Sequence, residues 1–550
     1  MSAQQVILAE TQLVLQQLVW ASASGGGRIA SVTISVPEGQ PSRRFMRYVR
    51  PPIKDDDGNR PLYPLRPATR PLRLGIDVVT IPTPPTGTFS AFLGREELDI
   101  QLLVPRGAEV PQAWAQVLKD PLVRQIGFTT VEEASRELDT VQFGVTTDCK
   151  RERSRYSAHF FPIYQQLDEQ LASPDAVPLT LTERNRAAAY AAGSAAVGID
   201  AIVSTMPTVG RCDVADNDSV VSVTPDDAVA LIGHHLRTSN NPVVQVRRGG
   251  LVGGGSWKQT ESTATIENFY DWGVGARMPY FDCLHLIIAP RSGDPDLVAA
   301  VNSIRVRLCR ATRALDQLLA VLSNPISGKQ SADVVEAAAE AFDRQLLYLA
   351  AAFDIYGRRY LLLIDSTRDP KKFRLSLDAG GYIANHLTRE YPAAALVEVE
   401  RLHAYAGVCK VLRNHIHDGI LPVDQHPGRG YGSTKNIALN IDAMPELLPD
   451  VNPKLAQDHY DSLGVWRSDP VEVFGDRTTV ADLATTAVTL MGAGTGLIEA
   501  FTKLILQNKP AAASAPHSIL GCVQGQPEDV EPQPHARELF YRSLFAWPDV

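Results

Sequence analysis

The run DPDLVAAVNSIRVRLCRATRALDQLLAVLSNP, residues 294–325, decides how the second half of this chain folds. Asp294-Pro295 is a helix start: a carboxylate at the cap, then a proline whose missing N–H costs nothing in the first turn. Leu297, Val301, Ile304, Leu308, Ala311, Leu315, Leu318 and Leu322 then step 4-3-4-3-4-3-4. That spacing draws one apolar seam along a helix and calls for a packing partner. Asn324-Pro325 ends it. Arg305, Arg307, Arg310 and Arg313 fall between the seam positions and read as a solvated face.

Working outward, the same periodicity recurs downstream. Val335, Ala338, Phe342, Leu346, Leu349, Phe353 and Tyr356 form a second stripe. Pro392 opens a third helix, with Leu396, Val399, Leu402, Ala406, Cys409 and Leu412 on one side. A fourth begins near Thr479, with Asp482 in its first turn, and reaches Leu506. Short strands are expected at 360–364 and 436–440. Residues 291–550 are therefore predicted to be a helical bundle. Residues 176–290 alternate differently. A small-residue helix after Thr182 leads to the apolar run Ala201-Ile202-Val203-Ser204, then to Val220–Val223 and the helix start Thr224-Pro225-Asp226-Asp227. That is the grammar of an α/β unit with a parallel sheet. Residues 1–175 begin with a helical pattern to about residue 20. They continue as short β-branched runs at 28–36, 45–49, 74–81 and 98–104. From Pro111 to Leu171 the pattern becomes helical, with Trp114, Val117, Leu118, Leu122 and Ile126 at three- and four-residue steps. The expected class is α+β and multidomain: a β-rich N-terminal part, an α/β middle unit and a C-terminal helical bundle.

Composition narrows the function. The 550 residues exceed what one core organises. A net charge of −9 argues against non-specific coating of nucleic acid but allows a local basic groove. The six cysteines make no C-x-x-C pair, which speaks against zinc ribbons and a disulfide framework and for a reducing cytoplasm. The first 20 residues lack a basic n-region, and residues 490–505 carry Glu499 and Lys503, so a core helix is expected there and no membrane association. The alanine, arginine and proline bias suits a high-GC bacterial or phage genome.

Chemistry concentrates in Leu412-Arg413-Asn414-His415-Ile416-His417-Asp418-Gly419. On a continuing helix Arg413 and His417 stand at i and i+4, on one face. An imidazole can take the proton of a ribose 2′-hydroxyl, a guanidinium can stabilise the charge on a phosphorane, and Asn414 can orient either. The same groups can instead bind helix-end carbonyls or a neighbouring carboxylate, with Gly419 as the stop. His415-x-His417 beside Asp418 also suggests metal ligands. A metallo-hydrolase pattern of that kind needs Asp at 419 and His at 420, where this chain has Gly419 and Ile420. No metal or other cofactor is expected.

The segment 411–419 after an amphipathic helix resembles the RN…H signature of HEPN domains, over residues 294–510. Those are small helical bundles, many of them metal-independent endoribonucleases of toxin, CRISPR and phage-defence systems that act as dimers. The resemblance implies RNA as partner, a homo-oligomer, and Arg413, Asn414 and His417 as the catalytic set. The family places four to six residues between Arg and His; here three intervene, and relatives with altered motifs only bind. A non-catalytic scaffold that oligomerises through its helical seam is the alternative.

Other stretches carry weaker signals. Residues 198–227 are similar to the second half of PIN-type nuclease domains, with Asp200 matching an acid of their metal site. Met206 stands where the second acid belongs, and Asp213, Asp216 and Asp218 lie in the loop beyond. Gly249–Gly255 lacks the lysine of a phosphate loop and reads as a mobile connection. Arg43, Arg44, Arg47, Arg50, Lys54, Arg60, Arg66, Arg70 and Arg73 face only Asp55, Asp56 and Asp57, a local charge of about +6 with Phe45, Tyr48 and Tyr63 interleaved. Arg43, Arg44, Arg47 and Arg50 are the expected RNA contacts, stacking aided by the aromatics. A solvated, proline-rich connection accounts for the same residues.

Overall fold

The structure, a computed structural model, describes the chain from residue 72 to 547 with interruptions, the longest at 148–156, 161–178, 207–220, 247–255, 323–331, 365–375 and 509–540. The expected strands at 28–36 and 45–49, the basic stretch 43–70 and the acids 213–218 lie outside the described residues.

The protein is mixed α+β. Its first sheet collects β1 (Leu72–Asp77), β2 (Leu98–Pro105) and β3 (Ile126–Val131). A three-stranded antiparallel sheet follows from β4 (Ser135–Glu137), β5 (Thr140–Phe143) and β7 (Ser157–Phe160), while β6 (Val145–Thr147) returns to the first. Completed by β8 (Ala201–Val203) and β9 (Val221–Val223), the first sheet has the order β6-β3-β2-β1-β8-β9. All its pairings are parallel except β3–β6. Strands β1, β2 and β8 are buried almost throughout, as a sheet covered on both faces requires. Ile202 and Ser222 pair directly, so the α/β reading of 180–240 holds. The sheet also crosses the boundary drawn at 175/176, because β1 pairs with both β2 and β8.

The helical expectation for 111–171 is corrected over 126–160. Among the described residues of this stretch α1 (Gln112–Val117) alone is helical, and 126–160 is strand wherever it is described, while 161–171 lies outside the described residues. The apolar spacing from Trp114 to Ile126 imitated a helix, but Ile126 belongs to β3, opposite Ile100. The β-branched run that follows favours a pleated surface. Next come α2 (Leu181–Ala196), α3 (Pro225–Thr238), the hairpin β10 (Val243–Val246) and β11 (Ser256–Gln259), α4 (Thr263–Arg277) and α5 (Pro279–Cys283). The α2 start sits two residues earlier than Thr182: Thr180 Oγ1 accepts the Glu183 N–H, and Glu183 reaches back to the Thr180 N–H.

The C-terminal half is built on α6 (Pro295–Leu322), α7 (Ala332–Ile364), α8 (Ala393–Asp418) and, after the short α9 (Gln457–Leu463), α10 (Leu483–Gln507). These four long helices pack on one another. Asp294 caps α6 by accepting the Asp296 and Leu297 N–H groups, and it also pairs with Arg359 of α7. The seam is buried from Leu297 through Leu318, and Leu322 is half-buried at the helix end. Each such leucine withdrawn from water is worth about 1.5–3 kcal/mol. The strand expected at 360–364 is instead the last turn of α7, where Tyr360 packs against Phe501. The fourth helix starts at Leu483 rather than near Thr479, with Asp482 as its cap. Residues 478–482 form β15 (Thr478–Asp482), which joins β12 (Val423–Pro427), β13 (Lys435–Asn440) and β14 (Val465–Ser468) in an antiparallel sheet of order β12-β13-β15-β14. The strand predicted at 436–440 is thus one of four.

The solvated face of α6 also needs correction. Arg310 and Arg313 are exposed, but Arg305 is buried. Its guanidinium donates to the Asp271 carboxylate at 2.7 Å and the Asp271 carbonyl at 2.6 Å, and pairs with Asp282 at 2.9 Å. The approach needs Gly275, since a Cβ there would stand 2.2 Å from a guanidinium nitrogen. Burial opposes its charge, but the two aspartates raise its pKa above the ordinary value. Helix α10 is long and apolar enough to cross a membrane, yet 78% of its most apolar window is buried inside the protein.

Candidate functional site

Helix α8 is straightforward in its origin. Pro392 precedes its first turn, Leu396, Val399, Leu402, Ala406, Cys409 and Leu412 bury one stripe, and Gly419 follows its end. The motif therefore lies on the last turns of an ordered helix. Arg413 is half-buried, Asn414 exposed, His415 half-buried, and His417 and Asp418 exposed. Arg413 and His417 share the i, i+4 relation the sequence predicts.

The end of α8 closes through backbone: the Gly419 N–H donates to the His415 carbonyl at 2.9 Å. Among the described residues, neither Arg413 nor His417 donates a side-chain hydrogen bond to the helix-end carbonyls. The helix-end carbonyls therefore account for neither side chain. His415 has a nearby carboxylate, with its Nε2 standing 3.8 Å from Glu446.

Behind Arg413 lies a group the sequence reading missed. Asp378, in the turn before the third long helix, is 1% exposed, and neither carboxylate oxygen has a hydrogen-bond partner. Burial pushes its pKa up, against first the neighbouring Ser376 hydroxyl and then the pull of Lys410 and Arg413. The Arg413 Nε is buried and likewise without a partner, so the two groups attract without a formed bond. The turn itself is fixed. His403 Nε2 donates to the Ala379 carbonyl at 3.1 Å, Lys454 Nζ donates to the Gly380 carbonyl at 2.5 Å, and the Leu377 N–H donates to Phe353 of α7 at 3.1 Å. Burial, then Lys454, pushes the pKa of His403 down to about 4, so its ring is neutral. Asp378 precedes Arg413 by 35 residues and shares no pattern with it, which is why no motif reveals the pair.

Asp200 is placed elsewhere. It precedes β8 at the N-terminal edge of the parallel sheet, where its carboxylate accepts the Arg73 N–H at 2.8 Å. Arg73 in turn donates to Asp99 at 2.7 Å. Open α/β sheets bind ligands at the opposite, C-terminal edge. Among the described residues, no group of three or more His, Cys, Asp or Glu is gathered for a metal ion. Arg43, Arg44, Arg47 and Arg50 lie outside the described residues.

Comparison with known proteins finds no matching family model, no matching curated protein and no matching solved structure.

Proposed function

We propose that the chain acts on RNA through the end of α8, as a HEPN-like, metal-independent endoribonuclease of a bacterial or phage defence or toxin system, working as a homo-oligomer. In this reading the C-terminal helices are the effector domain and the α/β region is a degenerate PIN-like unit. The carrying observation is that His417 is exposed one helical turn beyond Arg413, while the helix end is closed by backbone alone. His417 takes the 2′-hydroxyl proton, and the 2′-oxygen attacks the adjacent phosphorus. The bond to the 5′-oxygen breaks, and water returns a proton to that oxygen. Arg413 neutralises charge on the phosphorane, and Asn414 holds the phosphate. A second reading, a non-catalytic interaction protein, is favoured by the attraction of Arg413 to buried Asp378, which gives the guanidinium a structural use.

The test is incubation of the purified protein with single-stranded RNA in EDTA. Cleavage that yields 2′,3′-cyclic phosphate ends, and is lost in His417→Ala without loss of melting temperature, supports the nuclease. Intact RNA, or cleavage that survives in His417→Ala, rejects it.

A further inference from the structure

We propose that the C-terminal edge of the parallel sheet holds a divalent-cation site formed by Asp77, Thr80 and Ser204. The chain runs β1, β2, β3 in one direction across the sheet and then β8, β9 in the other, so its topological switch point lies between β1 and β8. Crevices at that point are where open α/β sheets receive ligands. Asp77 ends β1 and Ser204 directly follows β8, side by side in register, since Ile76 pairs with Val203.

Three oxygens form a triangle there. Asp77 Oδ2 is 2.9 Å from Thr80 Oγ1 and 2.9 Å from Ser204 Oγ, and the two hydroxyls are 3.0 Å apart. Mg²⁺ holds oxygens at about 2.0–2.1 Å in an octahedron, so neighbouring ligands stand about 3 Å apart. The triangle matches one octahedral face. Its hydrogen bonding is also short of protons. The Thr205 and Met206 N–H groups donate to the two hydroxyl oxygens at 3.2 Å each, which leaves two hydroxyl protons for three O···O edges.

An independent observation points the same way. Asp77 and Ser204 are fully buried. The Asp77 carboxylate accepts the Val79 N–H at 3.1 Å and the two hydroxyls, so among the described residues its partners at hydrogen-bond distance are all neutral. A buried carboxylate without a countercharge is costly, and a hard cation supplies that charge. Thr80 is half-exposed and Thr205 exposed, so the triangle has a solvent side from which water or phosphate oxygens complete the shell. The α8 reading does not depend on this site, and its EDTA-resistant cleavage is a separate measurement.

The experiment is titration of the full-length protein with Mn²⁺, read by electron paramagnetic resonance and competed with Mg²⁺. The expected result is one saturable site per chain, displaced by Mg²⁺. Affinity falls on the order of tenfold or more in Thr80→Val and Ser204→Ala and is retained in Thr80→Ser, which keeps the oxygen. Thr80 is half-exposed, so its pair of variants stays informative even where a change at buried Asp77 disturbs folding. Absence of saturable binding in the unaltered protein, or equal binding in Thr80→Val and Thr80→Ser, overturns the proposal.

Discussion

Asp316 and Asp378 are both buried, in two regions of the molecule, and they meet opposite fates. Asp316, on α6, is 4% exposed and accepts from Arg237 at 2.6 and 2.9 Å and from the Tyr270 hydroxyl at 2.7 Å, with His234 Nδ1 at 3.3 Å. Burial alone would raise its pKa, but Arg237 and the hydrogen bonds from His234 and Arg237 outweigh burial and hold it well below the carboxylate range. Asp378 has the Ser376 hydroxyl beside it and cations nearby on α8, but no countercharge bonded to it, and there burial wins and the pKa rises. A buried charge is secured where a countercharge and hydrogen bonds act together. The first arrangement also fastens residues 544–547. Arg237 donates to the Leu544 carbonyl at 2.6 Å and lies 4.2 Å over the Phe545 ring, while Trp547 Nε1 donates to Thr495 of α10 at 3.1 Å. The second leaves a charge poorly satisfied beside the candidate site.

The comparison breaks most visibly at Arg237. Arg237→Ala strands Asp316 and frees the Leu544 carbonyl, and is expected to lower unfolding stability by about 3–5 kcal/mol. Chemical denaturation measures it, and a loss under about 1 kcal/mol would mean the network is not holding the charge. Because the folded pKa of Asp316 is depressed, its contribution is present above the unfolded carboxylate pKa and is lost as pH falls through the folded value.

Glu499 sharpens the contrast, being bonded yet lacking a strong countercharge. Its carboxylate accepts the Tyr280 and Phe281 N–H groups at 2.8 and 3.0 Å, tying α10 to the start of α5. Burial still pushes its pKa up to about 7, against those two bonds. A raised carboxylate pKa means the folded state binds more protons, so stability falls as pH rises from the unfolded value through about 7. The expected loss is on the order of 1–2 kcal/mol between pH 5 and 8, after allowance for partial exposure. Glu499→Gln should remove that slope, and an unchanged slope in the variant would assign it elsewhere.

What sequence reveals follows the reach of each interaction. The α6 seam was legible because its pattern is local and periodic, and so were the caps at Asp294 and Thr224. Arg305 was not, since Asp271 and Asp282 come from outside its helix. Nor was the order of the parallel sheet, which depends on β1 choosing β8 as a neighbour from across the 123 residues between Asp77 and Ala201. For the candidate site, Arg413 and His417 could be read from one helical turn, while Asp378 behind them could not. The Asp77–Ser204 contact, 127 residues apart, has no sequence signature at all.

Asp378→Asn is the smaller counterpart of Arg237→Ala. It keeps shape and removes a charge that no bonded countercharge supports, so it should change stability by no more than about 1 kcal/mol, in the stabilising direction as pH rises. The sign follows from linkage: the folded pKa of Asp378 is raised, so its ionisation lowers stability as pH increases, and asparagine does not ionise. Thermal melts at pH 5 and pH 8 compare the two proteins. A drop like that of Arg237→Ala would show that Lys410 and Arg413 do bond Asp378 in solution and would cancel the distinction drawn here.

His417→Ala has the smallest expected effect on stability, and for that reason it says most about the α8 end. The side chain is exposed, no hydrogen bond or ion pair ties it to the described residues, and α8 ends on the Gly419–His415 backbone bond. Exposed substitutions without such features fall within about 0.5 kcal/mol, so the denaturation midpoint should not move. Arg413→Ala differs, because it removes one of the two cations facing Asp378 and should raise that carboxyl further, shifting the pH profile of unfolding toward higher pH. Measured together, the two variants separate the contribution of Arg413 to stability from that of His417. If His417→Ala lowers the midpoint as much as Arg413→Ala does, the imidazole is a structural end-group and the α8 end loses its claim as a reactive site.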